Sequence, residues 1–216
     1  GNSYTRFNDL AGLVSRLARS DPGGPRLRTA VEAAPGRSLR GHWEHRRSRN
    51  RIARGGWDDV VLQEQSLNAI EAPHEMFEYG RLLSESARAS GARVILFETW
   101  ARQEQSQVYE ESAIRDPEQM FSRVEAAYTE LGRLLDAPVA PVGRAWLRAV
   151  EEMPGTRLHR SDGTHPAVAG SYLSACVLYG TLSGRDPRQA GYRPRSMREV
   201  RARQIRELAA RVLESR

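Results

Sequence analysis

The chain has 216 residues, 39% of them hydrophobic and 28% charged, which is typical of one globular domain, residues 1–216, with a substantial core. No apolar run approaches the ~20 residues of a membrane-spanning helix, so we predict no membrane span. The net charge is +6, and every basic side chain other than His is Arg. The densest basic cluster is Arg46, Arg47, Arg49, Arg51 and Arg54. It lacks the interleaved aromatics and the recognisable module of a nucleic-acid-binding protein, so we predict a solvated helix face and no nucleic-acid partner, with anionic substrates or surfaces as the weaker alternative.

The chain opens with Gly1-Asn2-Ser3 and has no initiator Met. A reactive serine on a sharp turn usually follows a strand, so we expect a first strand upstream of Gly1. Any signal peptide would also lie there, in which case the protein would be exported. The sequence leaves the compartment and the oligomeric state open.

The first third of the chain predicts two helical stretches separated by loops. Apolar residues share one helical face over residues 6–20, and a loop rich in Pro and Gly follows. Residues 26–33 alternate loosely between apolar and polar, which favours a strand. A basic stretch that includes His42 is helical in pattern as far as Arg54, where Gly55-Gly56 ends it.

The clearest strand lies within residues 57–66, where Val60, Val61 and Leu62 form a short apolar run of the buried parallel type. Four polar residues follow it, Gln63-Glu64-Gln65-Ser66. In open α/β sheets, ligands bind beyond the carboxyl ends of the strands. These residues are therefore candidates for function, although a simple strand-ending turn would have the same pattern.

The rest of the chain alternates helices and strands. We predict helices over residues 73–90, from Pro117, around Trp146, over residues 169–178 and over 197–213. We predict strands over 93–97 and 139–142 and a polar loop over 101–116. Cys176 should be buried in the core. This alternation favours an α/β fold with a doubly wound parallel sheet.

A possible catalytic pair lies near the C-terminus, in Asp162-Gly163-Thr164-His165-Pro166. A serine hydroxyl needs a base with a pKa near 7, and His is the side chain that has one unperturbed. A carboxylate on the other ring nitrogen would hold the imidazole in one tautomer. Asp162, His165 and the early Ser3 are therefore the parts of a nucleophilic triad.

Two other interpretations of this stretch stay open. Asp-Gly is also a common turn, and Thr164 or His165 also suits a helix cap. A metal site formed by His159, His165 and Asp162 is the weaker alternative, because no His-x-x-x-His motif, cysteine pair or carboxylate cluster supports it.

Taken together, these motifs resemble the SGNH (GDSL-like) hydrolase superfamily over nearly the whole chain. Gly1-Asn2-Ser3 is similar to the nucleophile block, with Asn2 in place of the usual Asp, and Gly36 in Gly36-Arg37-Ser38-Leu39 is similar to the glycine of the second block. Gln63-Glu64-Gln65-Ser66 stands where the third block usually reads Gly-x-Asn-Asp, and Asp162-x-x-His165 matches the last block.

The resemblance implies a three-layer α/β/α flavodoxin-like fold and a serine esterase that acts on short-acyl or carbohydrate esters without a metal or organic cofactor. It implies Ser3, His165 and Asp162 as catalytic residues. The N–H groups of Ser3 and Gly36 and the side-chain amide of Gln65 would form the oxyanion hole, with Gln63 as the alternative donor. Residues 68–73 and 101–116 would set specificity, and Trp100 and His42 either line the pocket or only pack.

Three functions remain in competition. The first is ester hydrolysis, the second is acyl transfer by the same triad, and the third is a catalytically inactive binding domain, which the Asn and Gln departures favour. The α/β-hydrolases also use the order Ser, Asp, His, but they need Gly-x-Ser-x-Gly, which this chain lacks.

Overall fold

The computed structural model describes residues 1–215 and has a small parallel sheet at its centre. Strands β1 (Asp59–Leu62), β2 (Arg93–Phe97) and β3 (Val139–Ala140) lie in that order, and β2 pairs with both neighbours in parallel. The predicted parallel sheet is therefore confirmed. Strand β2 has the predicted boundaries because it is apolar along nearly its whole length and covered on both faces, as central parallel strands are.

Eleven α-helices surround the sheet within the described residues. They are α1 (Ser3–Arg6), α2 (Leu10–Ser20), α3 (Leu39–Glu44), α4 (Arg46–Ala53), α5 (Asn68–Glu71), α6 (Pro73–Ala89), α7 (Val108–Glu111), α8 (Pro117–Leu135), α9 (Val142–Glu152), α10 (Val168–Ser183) and α11 (Glu199–Glu214). None of the helices in residues 1–215 combines the length and the apolar character needed to cross a bilayer.

The helices form two layers, one on each face of the sheet. Alternate residues of β2 enter different cores: Ile95 and Phe97 pack with α2, α9, α10 and α11, whereas Val94 and Leu96 pack with α3, α6 and α8. The period of two along a strand produces this division. The result is the predicted three-layer α/β/α architecture, and Cys176 is buried in the first core as expected.

The predicted strand over residues 26–33 is wrong, because residues 24–34 form no regular element. A strand requires a neighbouring backbone with which it can exchange hydrogen bonds. Here a cavity of about 570 Å³ is lined both by residues 26–32 and by β1, so no ladder joins them. Leu27 still packs on the first core, which accounts for the apolar alternation without pairing.

Other predicted elements differ in their boundaries. The basic helical stretch is two helices, α3 and α4, because His45 between them has an extended backbone. The first predicted helix is also broken, since Asn8 and Asp9 adopt left-handed backbone angles between α1 and α2. The third strand is shorter than predicted, because α9 begins at Val142.

Candidate active site

Ser3 is the first residue of α1, and Asn2 caps this short helix. The Asn2 side-chain oxygen accepts a hydrogen bond from the Tyr4 N–H at 3.0 Å, a typical N-cap arrangement. The Asn2 N–H in turn donates to Gln63 Oε1 at 3.0 Å, so the segment is tied to the residues that follow β1. These contacts hold Ser3 at the carboxyl edge of the sheet, where the fold is expected to place a site.

Asp162 and His165 lie in a tight loop before α10. Gly163 has φ +67°, a left-handed conformation that glycine adopts without strain. Asp162 Oδ1 accepts hydrogen bonds from the N–H groups of Thr164 (3.0 Å) and His165 (2.8 Å). The loop thereby orients Asp162 Oδ2 toward the imidazole, as the three-residue spacing predicts.

The structure brings the three predicted residues into one hydrogen-bonded series. His165 Nε2 lies 3.0 Å from Ser3 Oγ, and His165 Nδ1 lies 3.1 Å from Asp162 Oδ2. The imidazole side chain is 28% exposed and the Asp162 side chain is 43% exposed, so the series opens to solvent. With this geometry, Nε2 of a neutral imidazole can accept a hydrogen bond from Ser3 Oγ while Nδ1 donates one to Asp162 Oδ2.

The surroundings of Asp162 favour its ionised form. Partial burial opposes ionisation, but hydrogen bonds from the Thr164 and His165 backbone and from the imidazole outweigh it. Together they hold the pKa of Asp162 below its usual value. The carboxylate is therefore negatively charged at neutral pH and serves as an acceptor for the imidazole.

Aromatic rings support the imidazole from the side of the nucleophile. The Phe7 ring centroid lies 4.6 Å from that of His165, and the Tyr4 ring meets the imidazole edge-on at 5.9 Å. Trp100 stacks on Tyr4 at 4.3 Å and on Trp146 at 4.0 Å. Trp100 is thus fully buried beneath the site, so of the two roles considered above it packs and does not line the pocket.

The two glutamines that follow β1 have different contacts. Gln63 uses both ends of its amide: Oε1 accepts from Asn2 and Thr5, and Nε2 donates to the Glu64 carbonyl. Gln65 Oε1 accepts from the N–H groups that open α5, whereas its Nε2 has no partner among residues 1–215. The Nε2 group of Gln65 is therefore free to donate to a ligand, whereas the buried Nε2 group of Gln63 already donates to the backbone.

Gly36 lies in an exposed turn with φ +64°. Within the described chain, no hydrogen bond joins this turn directly to Ser3. The link is indirect and passes through Glu64, a buried carboxylate to which the sequence motifs assign no specific role. Glu64 accepts from the N–H of Leu39, just after the turn, and from the N–H of Gln65. One side chain thus connects the second and third motif blocks.

Replacing Glu64 with Gln is expected to remove a pH dependence of stability. Burial raises the pKa of Glu64 from 4.5 to about 7, so the folded chain holds this proton more tightly than the unfolded chain. The stabilisation is complete below the unfolded pKa and is lost as the pH rises toward 7, on the order of 3 kcal/mol in all. Urea unfolding of both proteins at several pH values measures it.

The parent-minus-variant difference removes the contribution of every titrating group that does not interact with Glu64, and therefore reports mainly on Glu64. Burial lowers the pKa of His42, and this group acts in the opposite direction. A difference that stays constant from about pH 4 to about pH 8 would contradict the role given to Glu64.

The remaining two histidines considered above lie outside the series. His42 is buried, with Nε2 2.7 Å from the Gly1 carbonyl and Nδ1 3.0 Å from Ser48 Oγ, so it supports the nucleophile-bearing end of the chain. His159 Nε2 contacts the Ala101 carbonyl at 3.0 Å. Within residues 1–215, no three His, Cys, Asp or Glu side chains come together in a way that could hold a metal ion.

Solved structures provide the comparison, since neither a family model nor a curated protein matches the chain. A candidate SGNH hydrolase from Slackia heliotrinireducens is 26% identical, covers 85% of this chain and 96% of its own, and has a TM-score of 0.74. A DUF4886 family protein from Bacteroides uniformis is 16% identical over 96% and 92% of the two chains, with a TM-score of 0.76. A mutant acetyl-xylooligosaccharide esterase from Geobacillus is 14% identical over 85% and 81%, with a TM-score of 0.58.

Fold and comparisons agree on the class of protein. The three-layer α/β/α architecture is that of the SGNH hydrolases, and the 26% identity to the Slackia structure supports the SGNH/GDSL-like hydrolase superfamily for this chain. The resemblance that the motifs predicted is confirmed at this level.

Proposed function

We propose that this protein is a serine ester hydrolase in which Ser3 is the nucleophile, His165 the general base and Asp162 the residue that orients the base. The observation that supports this most directly is the series of hydrogen bonds from Ser3 Oγ through the imidazole to Asp162 Oδ2, at 3.0 Å and 3.1 Å. Nucleophile, base and orienting group within mutual hydrogen-bond reach are the geometric signature of such catalysis.

The proposed reaction has two steps. Ser3 Oγ attacks the ester carbonyl while its proton passes to His165 Nε2, and the tetrahedral intermediate collapses as His165 protonates the leaving alcohol. Water, deprotonated by His165, then attacks the acyl group on Ser3, and the serine regains its proton as the acid leaves. Asp162 stabilises the imidazolium in both steps, and neither step uses a metal ion or an organic cofactor.

The oxyanion of each intermediate would be held by the N–H groups of Ser3 and Gly36 and by the amide of Gln65. Neutral donors already aimed at the developing charge need no reorganisation during the reaction. The unpartnered Gln65 Nε2 favours Gln65 over Gln63 as the side-chain donor. Asn2 in place of the usual Asp fits the same scheme, because its amide oxygen caps α1.

The substrate we propose is a short-acyl ester of a small molecule or a carbohydrate. The partly exposed imidazole and carboxylate favour an accessible site over a deep apolar tunnel. The Geobacillus neighbour, by its name, acts on acetylated xylooligosaccharides, and sugar acetates are therefore the first natural esters to test. Residues 68–73 and 101–116 would set the preference, since specificity in such folds is set by loops.

The test combines labelling and turnover. We expect a fluorophosphonate to label Ser3, as located by peptide mapping, and p-nitrophenyl esters of increasing acyl length to show a preference for short chains. His165→Ala should abolish both, while Ser15→Ala, a change at another half-buried serine, should alter neither. Label on another residue, or turnover that His165→Ala leaves intact, would overturn the proposal. Acyl transfer to an added sugar in place of acid release would indicate a transferase.

Replacing Gln65 with Glu is expected to lower kcat by about 10²–10³-fold with little change in KM, because a donor to the oxyanion becomes an acceptor. The retained carboxylate oxygen still caps the N–H groups that open α5, so the fold should persist. Steady-state kinetics on a p-nitrophenyl ester measure the effect. Turnover at the parent's rate would show that Gln65 is not the third donor.

A further inference from the structure

Two adjacent residues after the nucleophile helix have unusual backbone angles. Asn8 (φ 53°, ψ 25°) and Asp9 (φ 54°, ψ 53°) both lie in the left-handed region, between α1 and α2. Only Asn, Asp and His enter this region with any frequency among residues other than Gly, and doing so costs energy. Contacts of the side chains therefore have to hold the turn in place.

The Asn8 side chain makes two such contacts with the far end of the chain. Its Nδ2 donates to the Pro166 carbonyl at 2.9 Å and to Ser171 Oγ at 2.8 Å. Because a carbonyl oxygen only accepts, this pairing fixes which end of the amide points there. Ser171 is buried in α10, so Asn8 is bound both to the residue after His165 and to a rigid helix.

The same segment touches the imidazole and its loop at further points. The Phe7 ring lies beside His165, and the Tyr4 hydroxyl lies 2.7 Å from Thr164 Oγ1. Asp162 already holds His165 from its N-terminal side through the backbone N–H. The hydrogen bond from Asn8 to the Pro166 carbonyl supplies the matching restraint on the C-terminal side.

We propose that Asn8 is a positioning residue. By binding the loop of residues 162–166 to the segment of residues 3–9, it sets the distance between His165 Nε2 and Ser3 Oγ. This inference rests on the proposed function. A misplacement of about 1 Å between reacting groups can cost on the order of 10²-fold in rate, so a clamp five residues from Ser3 has kinetic consequences without touching substrate.

The test is Asn8→Gly, which keeps the left-handed backbone at low cost and removes only the amide. We expect kcat on a p-nitrophenyl acetate to fall about 10–100-fold with KM nearly unchanged, and phosphonylation of Ser3 to slow in parallel. The matched control is Asp9→Gly, whose side-chain hydrogen bonds within residues 1–215 go to Gly12 and Arg16 of α2. It should lower the melting temperature but leave kcat at the parent's value.

A second measurement does not depend on turnover. The imidazole resonances of His165 in NMR spectra should shift and broaden in Asn8→Gly, because the ring loses a restraint, and should be unchanged in Asp9→Gly. A parent that reacts at Ser3, with Asn8→Gly matching it in kcat and in the imidazole spectrum, would overturn the inference and leave the proposed function standing. A parent that a fluorophosphonate does not label at Ser3 would overturn both.

Discussion

Replacing Ser3 with Ala should reduce kcat by about 10⁵–10⁶-fold, the loss typical of serine hydrolases that lose their nucleophile. In the proposed reaction, Ser3 Oγ forms the bond to the acyl group, and His165 Nε2, 3.0 Å away, takes the hydroxyl proton. Substrate binding does not require the hydroxyl, so KM should change little. Steady-state kinetics on a short p-nitrophenyl ester, with active sites counted by fluorophosphonate titration of the parent, give the ratio.

The control for this prediction is again Ser15→Ala, which lies on α2 and should turn over like the parent. Within residues 1–215, the Ser3 side chain forms one hydrogen bond, the contact with His165. The melting temperature of Ser3→Ala should therefore stay close to that of the parent. Residual activity near the parent's level would show that another residue is the nucleophile.

Replacing Asp162 with Asn should reduce kcat by about 10⁴-fold while the loop keeps its shape. The Asn oxygen still accepts from the N–H groups of Thr164 and His165, which Asp162 Oδ1 now binds. The Asn amide, however, donates an N–H to His165 Nδ1, whereas the carboxylate accepts a hydrogen bond from this nitrogen. The imidazole then keeps its proton on Nε2, facing Ser3, and no longer acts as a base.

Asp186→Asn provides the matched control. Asp186 accepts a hydrogen bond from the N–H of Arg188, as Asp162 does from that of Thr164, but Asp186 lies outside the site. Kinetics of the two variants, with NMR assignment of the His165 tautomer, separate an effect on the base from a general loss of charge. If Asp162→Asn keeps the parent's kcat, Asp162 has no part in orienting the base.

The elements that the sequence predicts well are those with an unambiguous apolar pattern. β2 is apolar because both of its faces are covered, and α6 and α8 each begin with a Pro and have one apolar face. The segment over residues 26–33 misled the prediction because its alternation reflects packing on one side only. Local pattern does not reveal whether a neighbouring backbone is available for pairing.

The candidate site shows the same division. Ser3, Asp162 and His165 are found from residue chemistry, and the fold brings them together from opposite ends of the chain. Choosing Gln63 or Gln65 as the oxyanion donor requires the three-dimensional contacts, because the sequence alone does not distinguish the two amides. Asn8 could have been noticed from the pair Asn8-Asp9 in the middle of a helical pattern, but its contacts with Pro166 and Ser171 span more than 150 residues.

The stack of Trp100 on Trp146 gives the molecule an optical reporter. The two ring centroids lie 4.0 Å apart and the ring planes are within 2° of parallel, close enough for their electronic transitions to couple. Trp100 also donates through Nε1 to the Thr164 carbonyl and stacks on Tyr4, so the coupled pair is attached to both halves of the site. Near-ultraviolet circular dichroism therefore follows the docking of the nucleophile segment against the loop of the base without any added chromophore.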